Sequence, residues 1–499
     1  MFAGNPSLTS VHVSPNILAT AFGICALAGA WIFHRRSSSH QEYFPSPPSD
    51  TFLGHLRIMP LDFLWLTELA KTLGDVIHVS IFGQPMIILN TAEAARDLME
   101  KRGANYSDRP TTTLLGKMIN WGNMLAFVRY GDRFRAQRRF VHQYLNSQAS
   151  ASFRPAQTQQ AKILVKNLLK NPTDFRKHIN RMSSASVVKL TYGHDILSDD
   201  DEYTNLAVAA TSRAVASVQY IPSWFPGASF KSEARLTRKL SDEMIYSAYN
   251  RVKEERASGT AQPSLLNSLL EDYEKTNAID KDHELNMIFA TGNMYAAGVE
   301  TSEVAVVTFI LMMARNPEVV KRAQEEIDRV VGTEQLPTPE DRPNLPYVES
   351  IMKEVFRINP PLPLNLPHRS MKEDVYRDKV IPADTLLLAN VWNMMRDETY
   401  YQDTEKFYPE RFLPKVMAPG YDFTKVCPGR FFADTSVWLA IANILAVFDI
   451  LPAIDPVTGK EMPPAAEYVP GFTNKPKLFD CRINPRSDKH ISLINQECN

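Results

Sequence analysis

The residues able to do chemistry fall into three short groups: Cys427, ahead of Pro428-Gly429; Glu300-Thr301, just after Gly298; and Glu354 with Arg357, joined later by Arg411 in Pro409-Glu410-Arg411-Phe412. The Cys427 sulfur precedes the apolar segment 431–448, so it lies at a helix N-terminus, and Lys425 and Arg430 are close in sequence. Both the helix field and these cations favour thiolate over thiol. A lone thiolate there suits an axial ligand to haem iron. A buried structural cysteine fits the local residues equally well.

A carboxylate and a hydroxyl in the middle of an apolar helix are expensive unless something uses them. Thr301 can hydrogen-bond back along the helix and open it slightly. Gly298 removes a side chain, which lets a flat ligand or O2 approach the backbone. A polar face turned to solvent or to a neighbouring helix is the other reading. Glu354 and Arg357 stand three apart on one helix face, where they can pair. Arg411 can close a buried network with them, one that is costly to break. The same spacing at Glu93/Arg96 and Glu326/Arg329 reads as solvated surface pairs, worth roughly a few tenths of a kcal/mol each.

These groups need a frame. Residues 284–314 are hydrophobic nearly all round, which predicts a helix buried through the middle of the molecule. DVIHVSIFGQPMIIL alternates about Gly83-Gln84-Pro85 and reads as a hairpin. A further strand is expected in DVYRDKVIPADTLLLAN, and long helical patterns dominate from Pro155 onward. The pattern fits a mainly α protein with a small β-rich part near its N-terminal third.

Residues 1–33 carry no Lys, Arg, Asp or Glu, and 17–33 are continuously apolar or small. With residues 14–16 the stretch approaches the roughly 20 residues that cross a bilayer. His34-Arg35-Arg36 follow, which puts the rest of the chain on the cytosolic side; a cleaved signal peptide would carry its charge at the other end. We therefore expect a membrane anchor at 1–36 (transmembrane about 15–33), a proline-containing linker at 37–50 and one catalytic domain at 51–499, with no internal repeat. Four cysteines, one of them in the anchor, do not make a disulfide framework. A net charge of −1 and a pI near 6.8 give no sign of nucleic-acid binding.

In order along the chain, Ala296-Ala297-Gly298-Val299-Glu300-Thr301, then Glu-x-x-Arg at 354–357, then Pro-Glu-Arg-Phe at 409–412, then Cys427 before Pro-Gly resemble the cytochromes P-450, the haem-thiolate monooxygenases. Upstream, RYGDRFRAQRR is similar to the family's C-helix, with Phe134 where a Trp is usual. Tyr106-Ser107-Asp108-Arg109-Pro110 is similar to the element before its B-helix, and GFTNKPKLFDCRINPRS to its last hairpin. The resemblance covers essentially the whole chain, and membrane-bound fungal members are the nearest in character.

The resemblance implies the cytochrome P-450 fold, haem b as cofactor and Cys427 as the iron's axial thiolate. It implies Thr301 and Glu300 as the residues that organise proton delivery, with Gly298 beside the cofactor. Arg138, with His368 or Arg369, and Lys425 would face the haem propionates. Glu354, Arg357 and Arg411 would form the structural lock. It further implies NADPH-cytochrome P-450 reductase as electron donor, a lipophilic substrate in fungal secondary metabolism (terpenoid, polyketide or alkaloid), and an endoplasmic-reticulum membrane with the catalytic domain facing the cytosol. A haem-thiolate isomerase or dehydratase is the alternative, though it would not need Glu300-Thr301. A catalytically impaired haem- or lipid-binding relative is another, because the family's Phe-Gly-x-Gly-x-Arg-x-Cys is here Gly420-Tyr421-Asp422-Phe423-Thr424-Lys425-Val426-Cys427. The expected pocket draws on 111–127, the region before Tyr220, 293–297, 362–366 and Phe472. The apolar segment 221–230 is either a membrane-dipping loop or a buried hairpin. A basic cluster, Arg129, Arg133, Arg135, Arg139 and Arg430, would steer an acidic flavin domain.

Overall fold

A computed structural model describes residues 43–50, 53–58, 62–198, 201–218, 229–275, 280–413, 427–469 and 471–498. The expected anchor, the core of the 221–230 segment and the loop that carries Lys425 lie outside the described residues.

The expected buried helix runs Lys281–Arg315. Asp280 caps its start by accepting the Asp282 N–H, and it stops at Asn316, ahead of Pro317, which cannot continue it. Every residue from Val304 to Ala314 is buried, so this half forms the centre of one hydrophobic cluster with helices Arg154–Lys170, Pro346–Ile358 and Arg430–Val447. Its N-terminal half, with Met287, Phe289 and Tyr295, belongs to a second cluster shared with Asp132–Leu145 and Phe175–Tyr192. The polar Glu300-Thr301 step falls between the two cores. Among the described residues, Lys281–Arg315 and Arg430–Val447 are the helices long and apolar enough to cross a membrane. Both are core helices, 72% buried over their most apolar stretch.

The expected hairpin is β1 (Val76–Ile81) and β2 (Gln84–Leu89), antiparallel with Ile81 opposite Gln84. The turn is Phe82-Gly83, with φ of 48° and 77°. This is the left-handed pair that a two-residue turn requires, so Gln84 and Pro85 belong to the strand and not to the turn. The single later strand resolves into three: β4 (Asp374–Tyr376) and β5 (Lys379–Ile381) form a hairpin, and β6 (Leu386–Ala389) stands apart. With β3 (His368–Arg369) they complete the region. The four-stranded sheet has the order β1-β2-β6-β3, with β6 parallel to β2. The β-rich part is therefore not confined to the N-terminal third. It also unites distant segments near the C-terminal end: β7 (Phe448–Ile454), β8 (Glu461–Met462) and β11 (Cys481–Pro485) form one sheet, and β9 (Tyr468–Val469) pairs with β10 (Lys475–Pro476). Helices also precede Pro155, at Phe63–Leu73 and Asp132–Leu145.

The two spacing look-alikes bond beyond their own helix turn. Glu93 bonds Arg377, and the buried carboxylate of Glu326 accepts the backbone N–H groups of Tyr347 and Val348. It thereby caps helix Pro346–Ile358 from outside, since Leu345 offers no side-chain cap.

Candidate active site

Cys427 stands two residues before the cap of helix Arg430–Val447. The backbone N–H groups of Gly429 and Arg430 point to its sulfur. Burial pushes the Cys427 thiol up from its usual range; those two N–H groups and the guanidinium groups of Arg138 and Arg430 pull the other way. The residue nonetheless keeps accessible surface. The start of the helix is fixed by Gln157, which donates to the Phe432 carbonyl at 2.8 Å and to Ser436 Oγ at 2.7 Å.

A second feature interrupts the burial of the central helix. Ala297 is exposed and Thr301 part-exposed, although both lie mid-way along a helix that is otherwise core. Thr301 Oγ1 donates to the Ala297 carbonyl at 2.9 Å. Glu300, one residue earlier, faces elsewhere: its buried carboxylate accepts from Lys475 Nζ at 2.7 Å and Thr473 Oγ1 at 2.9 Å. Gly298 is also differently placed from the expectation. A Cβ there would meet Val187 Cγ2 at 2.8 Å, so the missing side chain lets helix Phe175–Tyr192 pack against the central helix instead of admitting a ligand.

Two guanidinium groups converge nearby. Arg138, on the Cys427 side of helix Asp132–Leu145, has its pKa lowered by burial against a raising influence from Cys427. Arg109 is brought down to about 10, chiefly by burial and further by Arg138, with Asp108 opposing. Arg109 donates to the carbonyls of Leu366 and Pro367, while its buried Nε has no partner among the described residues. Two crowded like charges with an orphaned donor form a site for an anion. His368 is also buried here. Its Nδ1 lies 2.6 Å from the Tyr106 carbonyl, which only an N–H can satisfy, leaving Nε2 for the site. Burial, then Arg109, holds this imidazole at about 3, so it is neutral. Arg369 is committed to Asp108 at 2.8 Å and Asp384 at 2.9 Å. Of the two residues weighed for the propionates, His368 is thus the one still available. Arg109 is the residue whose role sequence reasoning missed; it stood within the Tyr106-to-Pro110 motif with no role assigned.

The lock has formed. Glu354 and Arg357, both fully buried, make two parallel bonds of 2.7 and 2.8 Å. Glu354 also accepts the Tyr408 N–H at 2.9 Å. Arg357 reaches the carbonyls of Met395, Thr404 and Lys406. Arg411 Nε lies 3.1 Å from Glu354 but is not aimed at it; this is a charge contact, and the group's hydrogen bonds go to Gln402, Asp403 and Lys406.

Residues 45–481 match the family model for cytochrome P-450. The chain belongs to that family. Cytochrome P-450 monooxygenase 136 of Postia placenta is 33% identical, over 97% of this chain and 96% of its own. Monooxygenase claR of Ampulloclitocybe clavipes is 32% identical, over 98% and 96%, and a cytochrome P-450 monooxygenase of Armillaria gallica 36%, over 93% and 96%. The chain is accordingly a monooxygenase whose cofactor is haem with an axial cysteine thiolate. The residues present fit that group. A cysteine with accessible surface at a helix start, an exposed alanine in a core helix and a buried guanidinium Nε without a partner are each what a flat, iron-bearing dianion would complete. Cytochromes P-450 generally draw electrons from a partner reductase and act on lipophilic molecules.

Proposed function

We propose that this cytochrome P-450 hydroxylates or otherwise oxidises a lipophilic small molecule of fungal secondary metabolism, a terpenoid, polyketide or alkaloid, with electrons from NADPH passed on by NADPH-cytochrome P-450 reductase. The observation that carries this reading is the Thr301 hydroxyl beside exposed Ala297, in the centre of an otherwise buried helix. Haem bound at Cys427 supplies the activation of O2. Thr301 both donates and accepts, so it can hold a water at the Ala297 carbonyl and hand on its proton. Arg138, Arg109 and His368 hold the propionates. The rings of Phe127 and Phe472, 6.4 Å apart, offer an apolar wall that excludes water and suits a lipophilic substrate.

Thr301→Ala is expected to separate oxygen consumption from product formation. Ala is the better helix former, so the fold and the iron ligand survive, while protons arrive through disordered water. The ratio of product to NADPH oxidised should fall severalfold, the difference appearing as hydrogen peroxide. An unchanged ratio would assign proton delivery to another group.

The reductase is proposed to dock on exposed Arg135 and Arg139, one turn apart on helix Asp132–Leu145, and on Arg430 beside the ligand loop. Arg129 is drawn away by buried Asp108 at 2.9 Å; Arg133 and Arg135 stay exposed while paired with the exposed carboxylates of Asp282 and Asp132. Reversing Arg135 and Arg139 to Glu should slow reduction of the iron and flatten its salt dependence. Kinetics like those of the parent protein would remove the patch.

We also assign residues 1–36 to a membrane anchor, 37–50 to a linker and 51–499 to the catalytic domain, with the anchor in the endoplasmic reticulum. The charge-free run 1–33 supports this. Deleting residues 1–36 should move most of the protein to the soluble fraction with its haem retained. Loss of haem on deletion would make this segment part of the core.

A further inference from the structure

Glu300 stands where a proton carrier would be sought, yet its carboxylate is already held. Thr473 and Lys475, which hold it, flank Asn474 directly after Phe472. The same hairpin is fixed a second time. Asn474 and Asn359 bond reciprocally at 2.7 and 3.0 Å, and Asn359 also donates to Thr308 of the central helix at 2.8 Å. One turn before Ala297 on the central helix, Asn293 Oδ1 accepts the Ala126 N–H at 3.0 Å, next to Phe127. Asn293, Ala297 and Glu300 follow at spacings of four and three, one face of the helix. Two loops that are far apart in sequence are thus tied to that helix at residues before and after exposed Ala297, and an aromatic ring from each lies 6.4 Å from the other.

We propose that Glu300, with Lys475 and Thr473, and Asn293, with the Ala126 N–H, are positioning residues: two polar clamps that set the height of a Phe127–Phe472 roof over the cavity at Ala297 and so limit the bulk of what it accepts. Glu300 in this chain is a latch, and proton handling is left to Thr301. The clamp is a built one. The Glu300 side chain is 9% exposed, and half-buried Glu303, which accepts from Asn180 at 2.9 Å, lies in the field of the same lysine. Removing that cation leaves the buried Glu300 carboxylate with a hydroxyl partner and no counter-charge.

The inference rests on the haem-cavity reading, and its test separates the two. In the holoprotein, Lys475→Met is expected to raise amide deuterium exchange in residues 468–476 by at least about tenfold, a readout that needs neither ligand nor turnover. Spectral titration with imidazole, which fits under any roof, should be unchanged. The clotrimazole-to-imidazole ratio of dissociation constants should fall by about fivefold, because bulk is no longer refused. Lys475→Arg should restore both. Thr473→Val, which removes one hydrogen bond and no charge, should move both in the same direction by less, and it decides the matter if Lys475→Met does not fold. Unchanged hairpin exchange, or equal shifts for both azoles, overturns the proposal. A reduced carbon-monoxide spectrum without the thiolate band would instead overturn the cavity reading.

Discussion

Cys427→Ser is expected to abolish both the red-shifted thiolate band of the reduced carbon-monoxide complex and all turnover. A serine hydroxyl stays protonated and donates too little electron density to the iron. The surroundings make this a test of the ligand and not of the fold. The Gly429 and Arg430 N–H groups that face the sulfur can equally face a hydroxyl, and Gln157 still fixes the helix start. The variant should therefore remain soluble, with its helical circular dichroism intact. Cys481, on β11 opposite Pro452, is the control. It sits within a β ladder, away from the start of helix Arg430–Val447 and its N–H groups, so Cys481→Ser should keep the band. The reverse pattern would displace the axial assignment to Cys481.

Glu354→Gln should have the next largest effect, and it acts on the fold. Glu354 is the only carboxylate among the described residues within ion-pair distance of Arg357 or Arg411. Neutralising it leaves one guanidinium fully buried and a second nearly so, with no counter-charge. Breaking a buried pair from one side costs about 3–5 kcal/mol, a large part of a typical domain's stability. The expectation is poor recovery, a melting temperature lowered by many degrees and haem lost during purification. Glu93→Gln, which touches a surface partner, Arg377, should change neither. A Glu354→Gln protein that melts within a degree or two of the parent would show that the backbone carbonyls around Arg357 carry the charge without help.

What was legible in the chain follows from how far each signal reaches. Residue type and local spacing are enough to mark a helix that is apolar on every side, a hairpin in alternating residues, a cysteine at a helix start, and a Glu–Arg pair three apart. Those elements stand where they were expected, save that the hairpin turns at Phe82-Gly83 and not at 83–85, and the order of the motifs identifies the family. Orientation was another matter. Whether Gly298 opens toward a ligand or toward Val187, whether Glu300 faces the cavity or Lys475, and whether Arg369 is free or held by Asp108 depend on segments up to 261 residues away. No local period encodes such contacts. The parallel pairing of β6 with β2 is of the same kind, because it forms only once the intervening helices have packed. By itself, then, the sequence determined the cofactor chemistry and the helical frame, since both arise from residue type and short-range periodicity. The tertiary structure alone decided which polar groups face the cavity. A buried charge goes to whichever partner the packed elements bring within about 3 Å, and here that turned Arg109 to the Leu366 and Pro367 carbonyls beside Arg138, and Glu300 to Lys475 and Thr473.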